Sequence, residues 1–149
     1  TQAGSRIAVN AFIKMYKAAK KDGYDLVINS SYRSYEEQED TCDTYRQLYG
    51  ENYVLNYVAM PGFSEHQTGL SFDIGSRNSN VFAESEEYEW IQENAHKYGF
   101  IQRFPSKYEA ITGFRAEPWH YRYVGKKIAT YIYEHDISFE EYYVLFLDS

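Results

Sequence analysis

Four side chains that could bind or use a metal ion lie in two short stretches of the chain. His66 and Asp73 stand seven positions apart, and Glu117 and His120 follow later. Catalytic zinc takes three ligands from histidine and carboxylate side chains and keeps a fourth position for water, whose pKa it lowers to about 7. His66, Asp73 and His120 form such a set. Glu117 is then the candidate base that takes the proton of that water and passes it to a leaving amine.

The residues around Asp73 predict a strand. Leu70, Phe72 and Ile74 are apolar and alternate with the polar Ser71 and Asp73. This period of two is typical of a strand with one face in a core and the other facing a cleft. We therefore expect Asp73 on a rigid strand, with His66 on the turn that leads into it.

Pro118 argues against a helical metal-binding motif between Glu117 and His120, because proline disrupts a helix interior. Aromatic residues alternate from 119 to 124 and predict a strand there, with Glu117 on its approach. Glu117 and His120 can then point into the same cleft. Trp119 either forms a wall of that pocket or packs in the core, and the sequence leaves both roles open.

A structural role for the histidines is the alternative to a metal site. Histidines satisfied in a core or by solvent are common, and we interpret His96 and His135 on predicted helices in that way. Asp73 favours the metal site, because an aspartate within an apolar strand needs a partner. The residues alone leave the two interpretations open.

The remaining sequence predicts helices and short strands with tight connections. Helices are predicted over 5–22, about 35–49, about 85–98, 126–135 and 139–147, and further strands over 24–29 and 100–104. No linker, repeat or composition shift divides the chain. We therefore expect a single catalytic domain over residues 1–149. Its expected fold is α+β, a small, mostly antiparallel sheet packed by helices, with the zinc in a central cleft.

Composition narrows the class of partner. The chain has 15 basic and 22 acidic residues, a net charge of −7, which argues against a nucleic-acid partner. No apolar run reaches the roughly 18 residues of a membrane span, although a start at Thr1 leaves room for a leader or anchor outside the chain. Cys42 is the one cysteine, which excludes internal disulfides and a cysteine-based zinc cluster. We expect a monomer, and we expect about half or more of the 17 tyrosines to be half-buried.

Three motifs resemble those of the zinc D-alanyl-D-alanine carboxypeptidases and dipeptidases. The stretch 64–73 is similar to the family's S-x-H-x-x-G-x-x-x-D motif, 117–120 to its E-x-W-H motif, and 31–34 to its S-x-R-S block. The resemblance covers nearly the whole chain and is strongest to the VanY-type carboxypeptidases of vancomycin resistance and their bifunctional VanXY-type relatives. Ser71 is the one departure, where many members have alanine.

The resemblance implies a role for each matching residue. It implies that His66, Asp73 and His120 bind Zn²⁺ and that Glu117 is the general base. It also implies that Arg33 lies near the scissile carbonyl, where a fixed cation stabilises the developing oxyanion. Without the resemblance, a surface ion pair between Arg33 and a following glutamate is the favoured interpretation.

Two further residues are assigned to the substrate side. Gln38 resembles the family's glutamine that helps to hold the substrate. Ser64, two residues before a predicted ligand, is the candidate for binding the substrate's C-terminal carboxylate.

The activity that the resemblance implies is removal of the C-terminal D-Ala from peptidoglycan stem peptides, which removes the target that vancomycin recognises. Three alternatives stay open: an L,D-carboxypeptidase acting on the tetrapeptide, a D,D-dipeptidase, and a non-catalytic wall-binding module. Glu117 counts against the last, because a pure binder needs no base. The expected location is the extracytoplasmic face of the bacterial cell envelope, or the cytoplasm if the chain is VanXY-like.

Overall fold

Four short strands form one antiparallel sheet in the computed structural model, which describes residues 5–30, 35–50, 68–113 and 115–147. The strands are β1 (Leu26–Ser30), β2 (Ser71–Ser76), β3 (Phe100–Phe104) and β4 (Glu117–Tyr123). Their order is β1-β2-β4-β3, and each neighbouring pair is antiparallel. Because β4 lies between β2 and β3, the strands that carry Asp73 and His120 are direct neighbours.

The described ranges also contain six α-helices. They are α1 (Arg6–Lys21), α2 (Tyr35–Tyr49), α3 (Glu86–Asn94), α4 (Glu109–Thr112), α5 (Lys126–His135) and α6 (Phe139–Tyr142). Serine side chains cap the N-termini of three of these helices. Each accepts a hydrogen bond from a backbone N–H of the first turn: Ser5 in α1, Ser85 in α3 and Ser138 in α6. The capping box predicted for Ser138 and Glu141 is present. The predicted α+β fold with a small antiparallel sheet is thus confirmed, while the position of the zinc stays a prediction.

The core lies on one face of the sheet, where α1 and α3 pack against β2. Phe72 and Ile74 are fully buried there, as the alternation along β2 predicts. The Phe72 ring lies 5.9 Å from that of Phe12 in α1 and 5.9 Å from that of Phe100 in β3. A second, smaller cluster of Ile101, Ala129 and Ile132 joins β3 to α5. The contacts of Phe72 fix β2 from the core side. No helix among the described residues is long and apolar enough to cross a bilayer.

Several element boundaries differ from the sequence prediction. The third helix ends at Asn94 and continues as a 3-10 turn to Tyr98, and α6 ends at Tyr142 before a π-helical turn over 143–147. The helix α4 and a 3-10 turn over 106–108 lie in a stretch for which no element is predicted, since elements of three or four residues carry no readable periodicity. The strand β4 begins at Glu117, two residues before the prediction, so Glu117 lies within the sheet.

Candidate active site

Asp73 and His120 face each other across the central pair of strands. They are direct partners in the β2–β4 register, and the adjacent pair is Phe72 with Tyr121. Because consecutive strand residues point to opposite faces, burial of Phe72 and Tyr121 in the core places Asp73 and His120 on the other face. The Asp73 Oδ1 atom lies 3.4 Å from Nδ1 of His120, and their side chains are 19% and 6% exposed.

An irregularity in β4 brings Glu117 to the same place. Between the pairs Gln102–Tyr121 and Phe104–Glu117, β3 advances by two residues while β4 advances by four. The extra residues bend β4, and Pro118 among them has no N–H to contribute to the ladder. As a result, Oε1 of Glu117 lies 3.4 Å from the same Nδ1 of His120. Strict alternation would not have brought residues 117 and 120 together on one face.

Phe104 borders the histidine. Its ring centre is 5.0 Å from that of His120, at an interplanar angle of 53°, and the residue is buried. Phe104 also pairs with Glu117 in the β3–β4 register. The ring therefore restricts the imidazole and sits beside the base candidate. Sequence analysis assigned no role to Phe104, because its position depends on strand order and register.

The donors around His120 have the chemistry of a zinc site. A histidine nitrogen and an aspartate oxygen converge in a largely buried position, and zinc binds such nitrogen and oxygen donors. Across the described ranges, no group of three His, Cys, Asp or Glu side chains is arranged to hold a metal ion. The third predicted ligand, His66, lies outside those ranges. The two described ligand candidates fit zinc, and the complete site stays a prediction.

Comparison with known proteins identifies the family. Residues 3–126 match the VanY family, described as D-alanyl-D-alanine carboxypeptidase. The chain belongs to the VanY family. The predicted resemblance to VanY-type and VanXY-type proteins is thereby confirmed.

A curated relative matches most of this VanY-family chain. The chain is 47% identical over 141 residues to the putative carboxypeptidase YodJ of Bacillus subtilis (strain 168), an alignment that covers 91% of this chain and 52% of the relative. It spans about half the length of curated relatives such as this one.

Two solved structures share the fold of this chain and differ in the specificity that their names state. The LdcB LD-carboxypeptidase is 46% identical with a TM-score of 0.86, and the match covers 94% of this chain and 68% of that one. A mutant of the vancomycin resistance D,D-pentapeptidase VanY from a VanB-type cassette, in complex with Zn(II), is 35% identical with a TM-score of 0.85, covering 93% and 83%. Both an L,D- and a D,D-specific protein thus share the fold of this VanY-family chain.

Only some of the other predicted site residues of this VanY-family chain are described by the structure. His66, Arg33 and Ser64 lie outside the described residues, and Gln38 lies in α2 with its side chain outside the description. Trp119 is 38% exposed, which counts against the core-packing alternative. Its role as a pocket wall stays a prediction, as do the roles of the four others.

The two histidines interpreted as structural lie on helical segments, His96 in the 3-10 turn over 95–98 and His135 in α5. The His96 ring stacks on Tyr133 at 3.8 Å, and burial lowers its pKa, as does nearby Lys97. The His135 ring stacks on Tyr131 at 3.8 Å, and its Nδ1 lies 3.0 Å from the Tyr131 carbonyl oxygen. These contacts are typical of structural histidines.

Proposed function

We propose that this protein is a zinc-dependent D-alanyl-D-alanine carboxypeptidase that removes the C-terminal D-Ala from peptidoglycan stem peptides, with residues 1–149 as its catalytic domain. One observation carries the proposal: in a VanY-family chain, a carboxylate from each of two places converges on one nitrogen of His120. Asp73 reaches it from β2 and Glu117 from the bend in β4. Hydrolysis by a metal-activated water uses this combination of metal ligands and a base.

Asp73, His120 and His66 would hold the zinc ion. When bound, zinc would act as a Lewis acid and lower the pKa of its bound water to about 7. The sheet would position two of these residues before any metal binds, since Asp73 and His120 are directly paired on neighbouring strands. A zinc complex of the D,D-pentapeptidase VanY at 35% identity supports the choice of metal.

Glu117 moves the proton. Its carboxylate accepts a proton from the attacking water and returns it to the amine that leaves with the terminal residue. Glu117 is 7% exposed, so bulk water screens the interaction of its charge with a bound substrate only weakly. Burial of a carboxylate is costly, and a wall-binding module without turnover would gain nothing from it. This supports an enzyme over the binding module.

The substrate side rests on four predicted residues. Arg33 would stabilise the oxyanion, Ser64 would bind the terminal carboxylate, and Gln38 would hold the peptide. Trp119 lies one residue before His120 and keeps more than a third of its surface exposed, so its ring remains available to a peptide. The D,D-pentapeptidase named among the structural neighbours supports the pentapeptide as substrate.

An L,D-carboxypeptidase is the second candidate. The LdcB LD-carboxypeptidase shares 46% identity with this chain, compared with 35% for the D,D-pentapeptidase VanY. The pair of carboxylates around His120 serves hydrolysis of either peptide bond. Discrimination between them depends on the residues that contact the terminal residue and its neighbour.

Alanine release from three peptides tests the proposal. The zinc-loaded protein is incubated in parallel with stem pentapeptide, stem tetrapeptide and D-Ala-D-Ala, and a chelator-treated sample serves as the control. We expect release from the pentapeptide first, and none after chelation. Preference for the tetrapeptide would move the assignment to the L,D-carboxypeptidase, and cleavage of the dipeptide alone to a D,D-dipeptidase. No release from any peptide by zinc-loaded protein would favour the wall-binding module.

The location follows from the substrate. We place the activity at the extracytoplasmic face of the bacterial cell envelope, where stem pentapeptides are exposed, with the cytoplasm as the alternative for a VanXY-like enzyme. Fractionation of cells that produce the full-length protein distinguishes the two.

A further inference from the structure

Asn29 lies at a bulge in β1, next to the strand that carries Asp73. In the β1–β2 register, Ile28 pairs with Ile74 and Ser30 pairs with Asp73. Asn29 is therefore an extra residue between two successive pairs. Bulges re-aim side chains and are over-represented beside active sites. Asn29 is also exposed, so the bulge places a polar, accessible side chain on the strand beside Asp73.

Gly75 shows to which face of the sheet Asn29 points. Gly75 comes two residues after Asp73 in β2, so a side chain at position 75 would share the face of Asp73. A Cβ atom added there would lie 2.5 Å from the end of the Asn29 carboxamide. The Asn29 side chain therefore occupies the space above Gly75, on the face that carries Asp73 and His120.

Space, and not backbone conformation, accounts for this glycine. Gly75 is buried, and its φ is not in the positive region, in contrast to that of Gly69. A residue with a side chain could therefore adopt its backbone conformation. A glycine inside a strand weakens the strand and marks a position where another group approaches closely. Here that group is the carboxamide of Asn29, which Gly75 accommodates beside the candidate metal ligands.

Asn29 is within reach of a peptide bound at the candidate active site. Neighbouring strands lie about 4.8 Å apart, so in the order β1-β2-β4 the strand β1 is about 5 Å from β2 and about 10 Å from β4. An extended peptide advances about 3.3 Å per residue. A stem peptide that crosses the strands with its scissile bond over Asp73 and His120 therefore passes Asn29 within about two residues of that bond.

The carboxamide has the chemistry of a partner for a peptide group. It offers an N–H donor and a carbonyl acceptor, which match the C=O and the N–H of a backbone peptide group. It is also neutral, so it adds no further negative charge beside Asp73 and Glu117. The terminal carboxylate of a stem peptide is therefore not repelled by this side chain.

We propose that Asn29 is a substrate-binding residue that hydrogen-bonds a backbone peptide group of the stem peptide near the scissile bond, and that Gly75 leaves the space in which its carboxamide is held. The proposal rests on the proposed function, since it requires a peptide at Asp73 and His120. It adds to the substrate side a residue of β1 that none of the three sequence motifs contains.

Peptide binding without rapid turnover tests the proposal. Stem pentapeptide and stem tetrapeptide are titrated by calorimetry into zinc-loaded Glu117→Ala protein, in which hydrolysis is slow. In this background, Asn29→Ala should weaken binding of the peptide that the wild type cleaves by about 5- to 10-fold, the effect of one hydrogen bond. Asn10→Ala, at an exposed asparagine of α1, is the matched control and should leave the affinity unchanged.

Gly75→Ala tests whether the position of the carboxamide matters. The added Cβ meets the end of the Asn29 side chain, which rotates away, so binding should weaken by the same factor of about 5 to 10. The double variant Asn29→Ala/Gly75→Ala should bind no more weakly than Asn29→Ala, because no carboxamide remains to be displaced. Losses that multiply in the double variant would contradict the link between the two residues.

A purely structural role of Asn29 would change a different set of measurements. With Glu117 present, loss of a contact to bound substrate should raise KM and leave kcat unchanged. The zinc affinity of Asn29→Ala, measured in competition with a chelator, should equal that of the wild type. A fall in zinc affinity would show that Asn29 supports Asp73 and not the substrate, and would overturn the assignment.

Failure of this proposal differs from failure of the proposed function. Equal peptide affinity with and without Asn29→Ala, in a protein whose wild type releases alanine, would overturn the role of Asn29 and leave the peptidase in place. If the wild type releases no alanine from any stem peptide and the Glu117→Ala protein binds none, the proposed function is wrong and the role of Asn29 falls with it.

Discussion

Replacing Glu87 by alanine should destabilise the strand that carries Asp73. Glu87 lies in the first turn of α3 and is 3% exposed. Its carboxylate accepts hydrogen bonds from Oγ of Ser76 at 2.5 Å, from Nδ2 of Asn78 at 3.3 Å and from the backbone N–H of Asp25 at 3.3 Å. Ser76 is the last residue of β2, and Asp25 immediately precedes β1. One side chain therefore ties the ends of two paired strands to a helix.

The magnitude follows from the number of hydrogen bonds. At about 1 kcal/mol of net stability each, three bonds give a loss of about 3 kcal/mol in the free energy of unfolding. For a chain of this size that corresponds to a fall in Tm of roughly 6 to 12 °C. Urea and thermal unfolding measure both. Glu86→Ala is the matched control, since Glu86 is the exposed neighbour in the same turn and should change stability by only about 0.5 kcal/mol.

The pKa of Glu87 determines whether its contribution to stability rises or falls with pH. Burial alone would raise the pKa of Glu87, but the hydrogen bonds from Ser76, Asp25 and Asn78 outweigh it and hold the pKa below its usual value of 4.5. A carboxyl whose pKa is lower in the folded state stabilises the fold fully above the unfolded pKa, and that stability is lost as pH falls through the folded value. The stability gap between wild type and Glu87→Gln should therefore be widest near pH 6–7 and shrink toward pH 3. Equal stability of Glu87→Ala and Glu86→Ala at pH 7, or a gap that widens on acidification, would refute this reasoning.

Two further predictions concern His120 and its surroundings. Asp73→Ala should reduce bound zinc from about one ion per chain to near none by elemental analysis, because it removes one of three ligands; full retention would exclude Asp73 as a ligand. Phe104→Leu should weaken zinc binding roughly 3- to 10-fold in competition with a chelator, because the imidazole of His120 loses its neighbouring ring. Phe82→Leu, at a buried site in the main core, is its control. Both variants should lower the free energy of unfolding by about 1 kcal/mol, but Phe82→Leu should leave the zinc affinity unchanged. Equal affinities of these two variants would remove the positioning role of Phe104.

The elements of the fold could largely be predicted because their signals are local. The stripe of apolar residues and the terminal Gly23 predict α1 to within a residue at each end, and Gly23 indeed adopts φ of 95°, the left-handed region that glycine favours. The alternation of Phe72 and Ile74 with Asp73 gives the core face of β2. Such patterns depend only on neighbours along the chain.

The geometry of the site could not be predicted in the same way. The motifs select Asp73, Glu117 and His120, but the pairing of Asp73 with His120 depends on β4 lying between β2 and β3, which nothing in chain order indicates. The bend that turns Glu117 toward His120 depends on how four residues of β4 oppose two of β3.

The most direct test of the central claim is the zinc content and alanine release of Glu117→Ala beside wild type, with stem pentapeptide as substrate. Glu117 is proposed as the proton carrier and not as a ligand, so the variant should bind zinc like wild type and unfold at a similar temperature. Its turnover should fall by a factor of roughly 100 to 10,000, the contribution of a positioned general base. Turnover near the wild-type rate at saturating pentapeptide, with zinc fully bound, would contradict the proposed mechanism.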